Sequence, residues 1–239
     1  MRIGTNPVKL VYGVVGTQNT GKSTLISDVI ADSESRSDQR IRFRNSVVDY
    51  RSKIKSLGLE INRNGNEWCQ RVIFDTLYDN VISCASNTEQ MRTILDRTPL
   101  DAFVYTLWHN LYGTKCISDC CIDEMWDRTV YSMRMLDRIV WIPLKMCDDV
   151  KVVDDKFRDT NLEYRRQIDE LFGICLRLLR FNGIHNISLV YGTRENRVSA
   201  VNILEENDVL QKNHAFLPYE DVRNSVDFGG MDIKDNGAK

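Results

Sequence analysis

Apolar residues along the chain fall into two kinds of segment. Leu10-Val11-Tyr12-Gly13-Val14-Val15 is a short continuous run, the pattern of a strand buried on both faces. Arg92 to Asp96, ending in an acidic residue, Arg138 to Leu144 and Ile187 to Tyr191 also read as strands, and Ser46-Val47-Val48-Asp49 as a short second strand. Between these runs, apolar positions recur at helical spacing. Leu25, Ile26, Val29 and Ile30 share one face of a helix beginning near Lys22. Trp68, Val72, Leu77, Val81 and Ile82 do the same from Glu67 to Cys84. Phe103, Val104, Leu107 and Leu111 line a helix opened by Pro99, a residue suited to a first turn. Further helices are expected over Ile122 to Met135, Asn161 to Phe181 and, more briefly, Ser199 to Leu204, with Ile54 to Leu59 partly helical. Ala31 to Asp38, rich in Ser and Asp, reads as a loop, and Asn62 to Asn66 as a turn.

Strands alternating with helices imply right-handed crossovers and a parallel sheet covered on both faces. The expected fold is therefore α/β: a five-stranded parallel sheet in one domain over residues 1–228, followed by a flexible tail over 229–239. Ligands of such sheets bind beyond the carboxyl ends of the strands. Asp49, Asp96 and Tyr191 are expected at such ends. So is Gly16-Thr17-Gln18-Asn19-Thr20-Gly21-Lys22-Ser23-Thr24, which fits G-x-x-x-x-G-K-[ST] between the first strand and its helix. Gly16 and Gly21 let the backbone curl so that the N–H groups of Asn19, Thr20 and Thr24 and their neighbours face a phosphate chain. Lys22 is placed for the β- and γ-phosphates, and the Ser23 hydroxyl for Mg²⁺. The motif points to a P-loop NTPase fold that binds ATP or a similar triphosphate.

Composition narrows the picture only slightly. The 239 residues suffice for a full α/β core, and 42% hydrophobic with 28% charged residues is ordinary for a globular chain. No apolar run is long enough to span a membrane, and the N-terminus lacks a signal-peptide core. Seven cysteines without a C-x-x-C pair read as reduced thiols of a cytoplasmic protein, although Cys116, Cys120 and Cys121 lie close together. The net charge of −2 excludes a general polyanion binder. Locally, however, Arg36, Arg40, Arg42, Arg44, Arg51, Lys53 and Lys55 face only Asp38 and Asp49. That stretch is either a solvated face or a surface for a phosphate-bearing acceptor.

A P-loop does not by itself separate kinases from switch GTPases or motors. The N-K-x-D motif with which GTPases read guanine is absent, as is the apolar-Asp-Glu ending usual in motor ATPases. The third strand ends instead in Asp96-Arg97-Thr98-Pro99-Leu100-Asp101, followed by Tyr105. This segment resembles a family of small P-loop kinases. The family includes the nicotinamide riboside kinase domain of the bacterial NAD regulator and phage-encoded AAA-type ATPases or kinases. Deoxynucleoside kinases and thymidylate kinase are more distant members. Val47-Val48-Asp49-Tyr50-Arg51 is similar to the family's second-strand motif, with Asp49 where Glu is usual. Gln70 matches a helical glutamine of the group, and Asp155 to Asp169 resembles its arginine-bearing lid, here spanning about residues 150–170. The resemblance runs from Lys9 to Leu204.

It implies a kinase that moves the γ-phosphate of ATP to a hydroxyl of a nucleoside, nucleotide or modified nucleobase. Asp96 would orient Mg²⁺, or else cap the following helix. Arg97 would contact the acceptor or the transferring phosphate, or else form a structural ion pair, and Asp101 would lock Arg97 or cap the helix. Asp49 is the candidate general base, against a turn or cap role. Arg51 and Gln70 would hold the acceptor. Arg158, with Arg165 or Arg166, would close over the triphosphate, against a solvated helix face. Arg194 or Arg197, in a loop after the fifth strand, would stack on the nucleotide base. One version of this activity takes 5-hydroxymethyl pyrimidine in DNA as acceptor, with the basic stretch tracking the backbone. The competing class is a regulatory ATPase with no phosphorylated acceptor. Trp108, Tyr112 and Trp126 are read either as core packing or as a homodimer face.

Overall fold

The computed structural model describes residues 8–35, 41–44, 46–59, 66–89, 91–113, 117–144 and 161–215. Arg36, Arg40, Cys116, Cys147, Arg158 and the tail lie outside these residues. In chain order the elements are β1 (Leu10–Val15), α1 (Lys22–Ser35), β2 (Ile41–Arg44), α2 (Ser46–Ser56), α3 (Glu67–Ser86), β3 (Arg92–Asp96) and α4 (Pro99–Leu111). They continue with α5 (Asp119–Met133), β4 (Arg138–Trp141), α6 (Leu162–Phe181), β5 (Ile187–Leu189) and α7 (Arg194–Ala215). The sheet has the order β2-β3-β1-β4-β5 and every pairing is parallel.

Alternation along β1 divides the core into two layers. Val11 and Val15 join the cluster built by α3, α4, α5 and α6, while Leu10, Tyr12 and Val14 join the one built with α1 and α7. Gly13 lies where no side chain fits. A Cβ there would meet Thr98 Cγ2 at 2.5 Å and Leu136 Cδ1 at 2.8 Å. Gly13→Ala therefore pushes on buried Thr98, at the start of α4, and is expected to cost about 1–3 kcal/mol. Urea unfolding would measure this as a lower midpoint with an unchanged slope.

β1, β3 and β4 and the helices α3 to α6 stand close to where the sequence pattern puts them. The differences have physical causes. The second strand is Ile41–Arg44, an edge strand whose Arg42, Phe43 and Arg44 are exposed, so it carries no buried apolar run to reveal it. Ser46 to Asp49 begins a helix instead, because Tyr50 and Ile54, four residues apart, bury one face of α2. α1 runs on through the expected loop to Ser35, with Ser33 buried and accepting from Arg92 Nη2 at 3.3 Å. The short helix expected at Ser199 to Leu204 is the middle of the long α7, which also takes in the expected loop at Arg194 to Arg197. β4 ends at Trp141, ahead of Pro143, which has no N–H for a ladder.

Two of the three aromatics weighed as a surface patch belong to the core. Trp108 is buried edge-on against Tyr164 at 4.6 Å, and its Nε1 donates to Gln167 Oε1 at 2.8 Å. Trp126 packs on Phe103 with ring centroids 5.1 Å apart. Tyr112 is exposed. Among the described residues no helix is long and apolar enough to cross a membrane.

Candidate functional site

β1 is the central strand, and the chain leaves its carboxyl end straight into the P-loop. Gly16 has φ 142°, and a Cβ on it would sit 2.5 Å from the carbonyl oxygen of Ile142, so only glycine fits. Asn19 and Gly21 also have positive φ, 56° and 84°. Thr20 Oγ1 donates to the Thr17 carbonyl at 3.0 Å and closes the turn. α1 then starts at Lys22, with Leu25 N–H donating to the Gly21 carbonyl at 2.9 Å. A cradle of amides and the positive end of a 14-residue helix thus share one point, the arrangement that binds phosphate. Lys22 is buried and donates Nζ to the carbonyls of Gly16 and Thr17, at 2.6 and 2.5 Å.

The parallel register Val14↔Asp96 sets the end of β3 beside the end of β1. Ser23 Oγ consequently donates to Asp96 Oδ2 at 2.7 Å. Asp96 is 2% exposed, and its Oδ1 has no hydrogen-bond partner among the described residues. Ser23 is exposed. A hydroxyl and a carboxylate with a spare oxygen are the hard donors Mg²⁺ accepts when phosphates and water complete its shell. Gln18 to Thr24, Asp96 and Arg97 together line one cavity.

Arg97 is held there at a cost. Its φ is 78°, a left-handed conformation seldom adopted by residues with a side chain. Its N–H donates to the Val14 carbonyl at 3.2 Å. Its guanidinium lies 3.9 Å from the carboxylate of Asp101. Asp101 also accepts the Thr98 N–H at 2.9 Å in a capping box, so it both caps α4 and faces Arg97. Burial pushes the Asp101 carboxyl up to about 6, against the opposing pull of Arg97 and Lys22.

Two side chains from outside the motif reach the loop. Tyr105 of α4 accepts the Gln18 N–H on its hydroxyl at 3.2 Å. Burial raises its phenol above the ordinary value, so it stays protonated. Arg165 is buried, and its Nη2 donates to the Asn19 carbonyl at 3.3 Å. Arg165 therefore touches the P-loop from α6. Arg158 lies outside the described residues. Asp169, in the same helix, accepts the Leu144 N–H at 2.9 Å.

The candidate acceptor residues sit to one side. Asp49, in the first turn of α2, pairs with Arg44 at 3.2 Å and accepts from Asn80 Nδ2 at 3.4 Å. It is not among the residues lining the cavity, whereas its neighbour Tyr50 is buried close to Arg97. Arg51 is half-buried on the same helix. Gln70 is buried between α3 and α4, where its Oε1 accepts from Thr106 Oγ1 at 3.3 Å. The sequence marks Tyr105 only as part of the segment after the third strand and gives it no role, and it gives Asn80 none, because their contacts with Gln18 and Asp49 are distant along the chain.

Arg194 opens α7 and forms a bidentate pair with Asp28 of α1, at 2.6 and 2.5 Å. The hydrogen bonds from Arg194 hold the Asp28 carboxyl below its usual range. A groove of about 320 Å³ runs between α1 and α7 there, lined by Asp28, Asp32, Arg194, Glu195, Val198 and Ser199. Arg197 is buried in the same helix. Arg42 pairs with Glu89 at 2.7 Å on the exposed β2 edge. Cys120 is exposed and Cys121 fully buried.

No protein family model matches the chain, and no curated protein matches it in sequence. Solved structures do match in fold. NadR in complex with NR aligns with a TM-score of 0.55 at 17% identity, over 82% of this chain and 50% of that one. NadR in complex with NAD and AMP-PNP aligns with a TM-score of 0.54 at 17% identity, over 82% and 49%. This chain thus spans about half the length of the NadR chains. Thymidylate kinase from Candida albicans aligns with a TM-score of 0.59 at 14% identity, over 84% and 93%. Sheet order, P-loop geometry and these alignments together establish that the chain has the P-loop NTPase fold.

Proposed function

We propose that this chain is an ATP-dependent kinase that transfers the γ-phosphate to a hydroxyl of a nucleoside, nucleotide or modified nucleobase. The observation that carries the reading is the Ser23–Asp96 contact in the wall of a cavity that Lys22 and Arg97 also line. Ser23 and Asp96 would hold Mg²⁺, which when bound neutralises phosphate charge. The P-loop amides orient the phosphate chain, and Lys22 and Arg97 face the charge that spreads over the transferring group. Asp49 is the proposed base for the acceptor hydroxyl; it lies on α2 next to Tyr50, and Arg51 lies on the same helix. A nucleotide base would lie toward the groove beside Arg194. The likeness to NadR with AMP-PNP, and to thymidylate kinase, supports ATP as donor and a nucleoside or nucleotide as acceptor.

The exposed Arg42-Phe43-Arg44 edge favours a second acceptor, hydroxymethylated DNA, because cations and an aromatic ring on one strand suit a nucleic-acid backbone and its bases. γ-Labelled ATP with nucleosides, nucleotides and duplex DNA, normal or hydroxymethylated, separates the readings. A free nucleoside or nucleotide is expected to take the label at a rate nearly independent of salt. Label on hydroxymethylated DNA, lost steeply as salt rises, would select the second acceptor. ATP hydrolysis with no labelled acceptor would overturn both readings in favour of a regulatory ATPase.

A further inference from the structure

Resting on the nucleotide-binding reading, we propose that Tyr105 is a positioning residue which, together with Arg165, sets the shape of the P-loop from outside the motif. A P-loop works through the direction of its amides, so whatever fixes its peptide planes fixes its affinity. Gln18 and Asn19 form the centre of this loop, between Gly16 and Gly21. The Gln18 N–H is held by the Tyr105 hydroxyl at 3.2 Å, and the Asn19 carbonyl by Arg165 Nη2 at 3.3 Å. The peptide between the two residues is thus bracketed by pinned neighbours. Asn19 sits at φ 56°, a conformation that persists where its surroundings over-determine it.

The holders are themselves held. The Tyr105 ring lies 6.3 Å from that of Tyr164, which meets Trp108 edge-on at 4.6 Å, and Trp108 Nε1 donates to Gln167 Oε1 at 2.8 Å. α4 and α6 therefore present Tyr105 and Arg165 to the loop as one unit. A phenylalanine would satisfy the ring contacts at position 105. The hydroxyl has a partner in the loop.

The test is Tyr105→Phe, titrated with a fluorescent ATP analogue and with inorganic triphosphate at a temperature where the variant is fully folded. Both dissociation constants are expected to rise by up to about tenfold, the scale set by the loss of one hydrogen bond to the loop. Arg165→Met should weaken both ligands as well. The double variant should lose less than the product of the two effects, since both act on one peptide. Tyr112→Phe, at the exposed end of the same helix, should bind as the unaltered protein does. A hydrogen bond serving stability alone would lower the melting temperature of Tyr105→Phe and leave both constants in place, and that result overturns the proposal while the kinase reading stands. So does weakened ATP binding with unchanged triphosphate binding. If the unaltered protein binds neither ligand, the kinase reading falls and the proposal with it.

Discussion

Lys22→Ala is expected to lower phosphoryl transfer by on the order of a thousandfold while the chain stays folded. Lys22 is the loop's one cation, buried between the carbonyls of Gly16 and Thr17 and not on an open surface. An ammonium so placed is partly desolvated and already oriented, so its interaction with a developing phosphate charge is worth far more than in water. The cost to the fold is smaller. Two carbonyls lose a charged donor, which amounts to about 1–3 kcal/mol. Circular dichroism should therefore show a native spectrum with a modestly lower melting temperature, and a labelled-phosphate assay should show almost no product. Lys22→Arg is expected to fail as well, because a planar fork does not replace a point charge with three donors between two carbonyls. A Lys22→Ala variant transferring phosphate at the unaltered rate would remove the P-loop from the mechanism.

The features legible in the sequence are those with a local cause. The P-loop is one, because glycine at Gly16 answers to a backbone that no other residue fits. β1 is another, since a central strand buried on both faces reads as a continuous apolar run. The pairing of Ser23 with Asp96 follows once two parallel strands are set side by side. What the sequence hides is non-local or polar. β2 is exposed along its edge and carries arginines, so it resembles a loop. Val47 and Val48 favour a strand, yet the burial of Tyr50 and Ile54 against the core makes α2 a helix. Asp49 consequently meets its partners Arg44 and Asn80 from the first turn of a helix and not from the end of a strand. The Tyr105 contact with Gln18 spans 87 residues, and no spacing rule reaches that far.

α7 is the element whose pattern misled most, and it carries the second large prediction. Its mean hydropathy is low, so only Ser199 to Leu204 reads as helix. The structure shows a docking face in which charges stand beside the apolar Val198, Val201, Leu204 and Val209. Glu205, Asp208 and Lys212, spaced three and four apart, line one side of the helix. Glu205 pairs with Arg92 at the start of β3 at 2.6 Å, and Lys212 with Asp137, just before β4, at 2.6 Å. Asp208 takes a fork from Arg138 at the start of β4 and a hydroxyl from Tyr12. Burial first, and then the Asp208 hydrogen bond, push the Tyr12 phenol upward, so it remains a donor at any ordinary pH. Arg138→Met would strip the fork from a carboxylate that is buried in the interface. Such a loss is expected to cost about 3–5 kcal/mol, because the remaining charge keeps its desolvation penalty without its partner. For a domain of this size that is a fall of roughly 6–20 °C in melting temperature. Adding Asp208→Asn should recover a large part of it, since a neutral amide still accepts from Tyr12 and no buried charge is left behind. A single variant that melts with the unaltered protein would mean that the ladder lends α7 no stability. A double variant no better than the single would mean that the arginine acts through packing and not through charge.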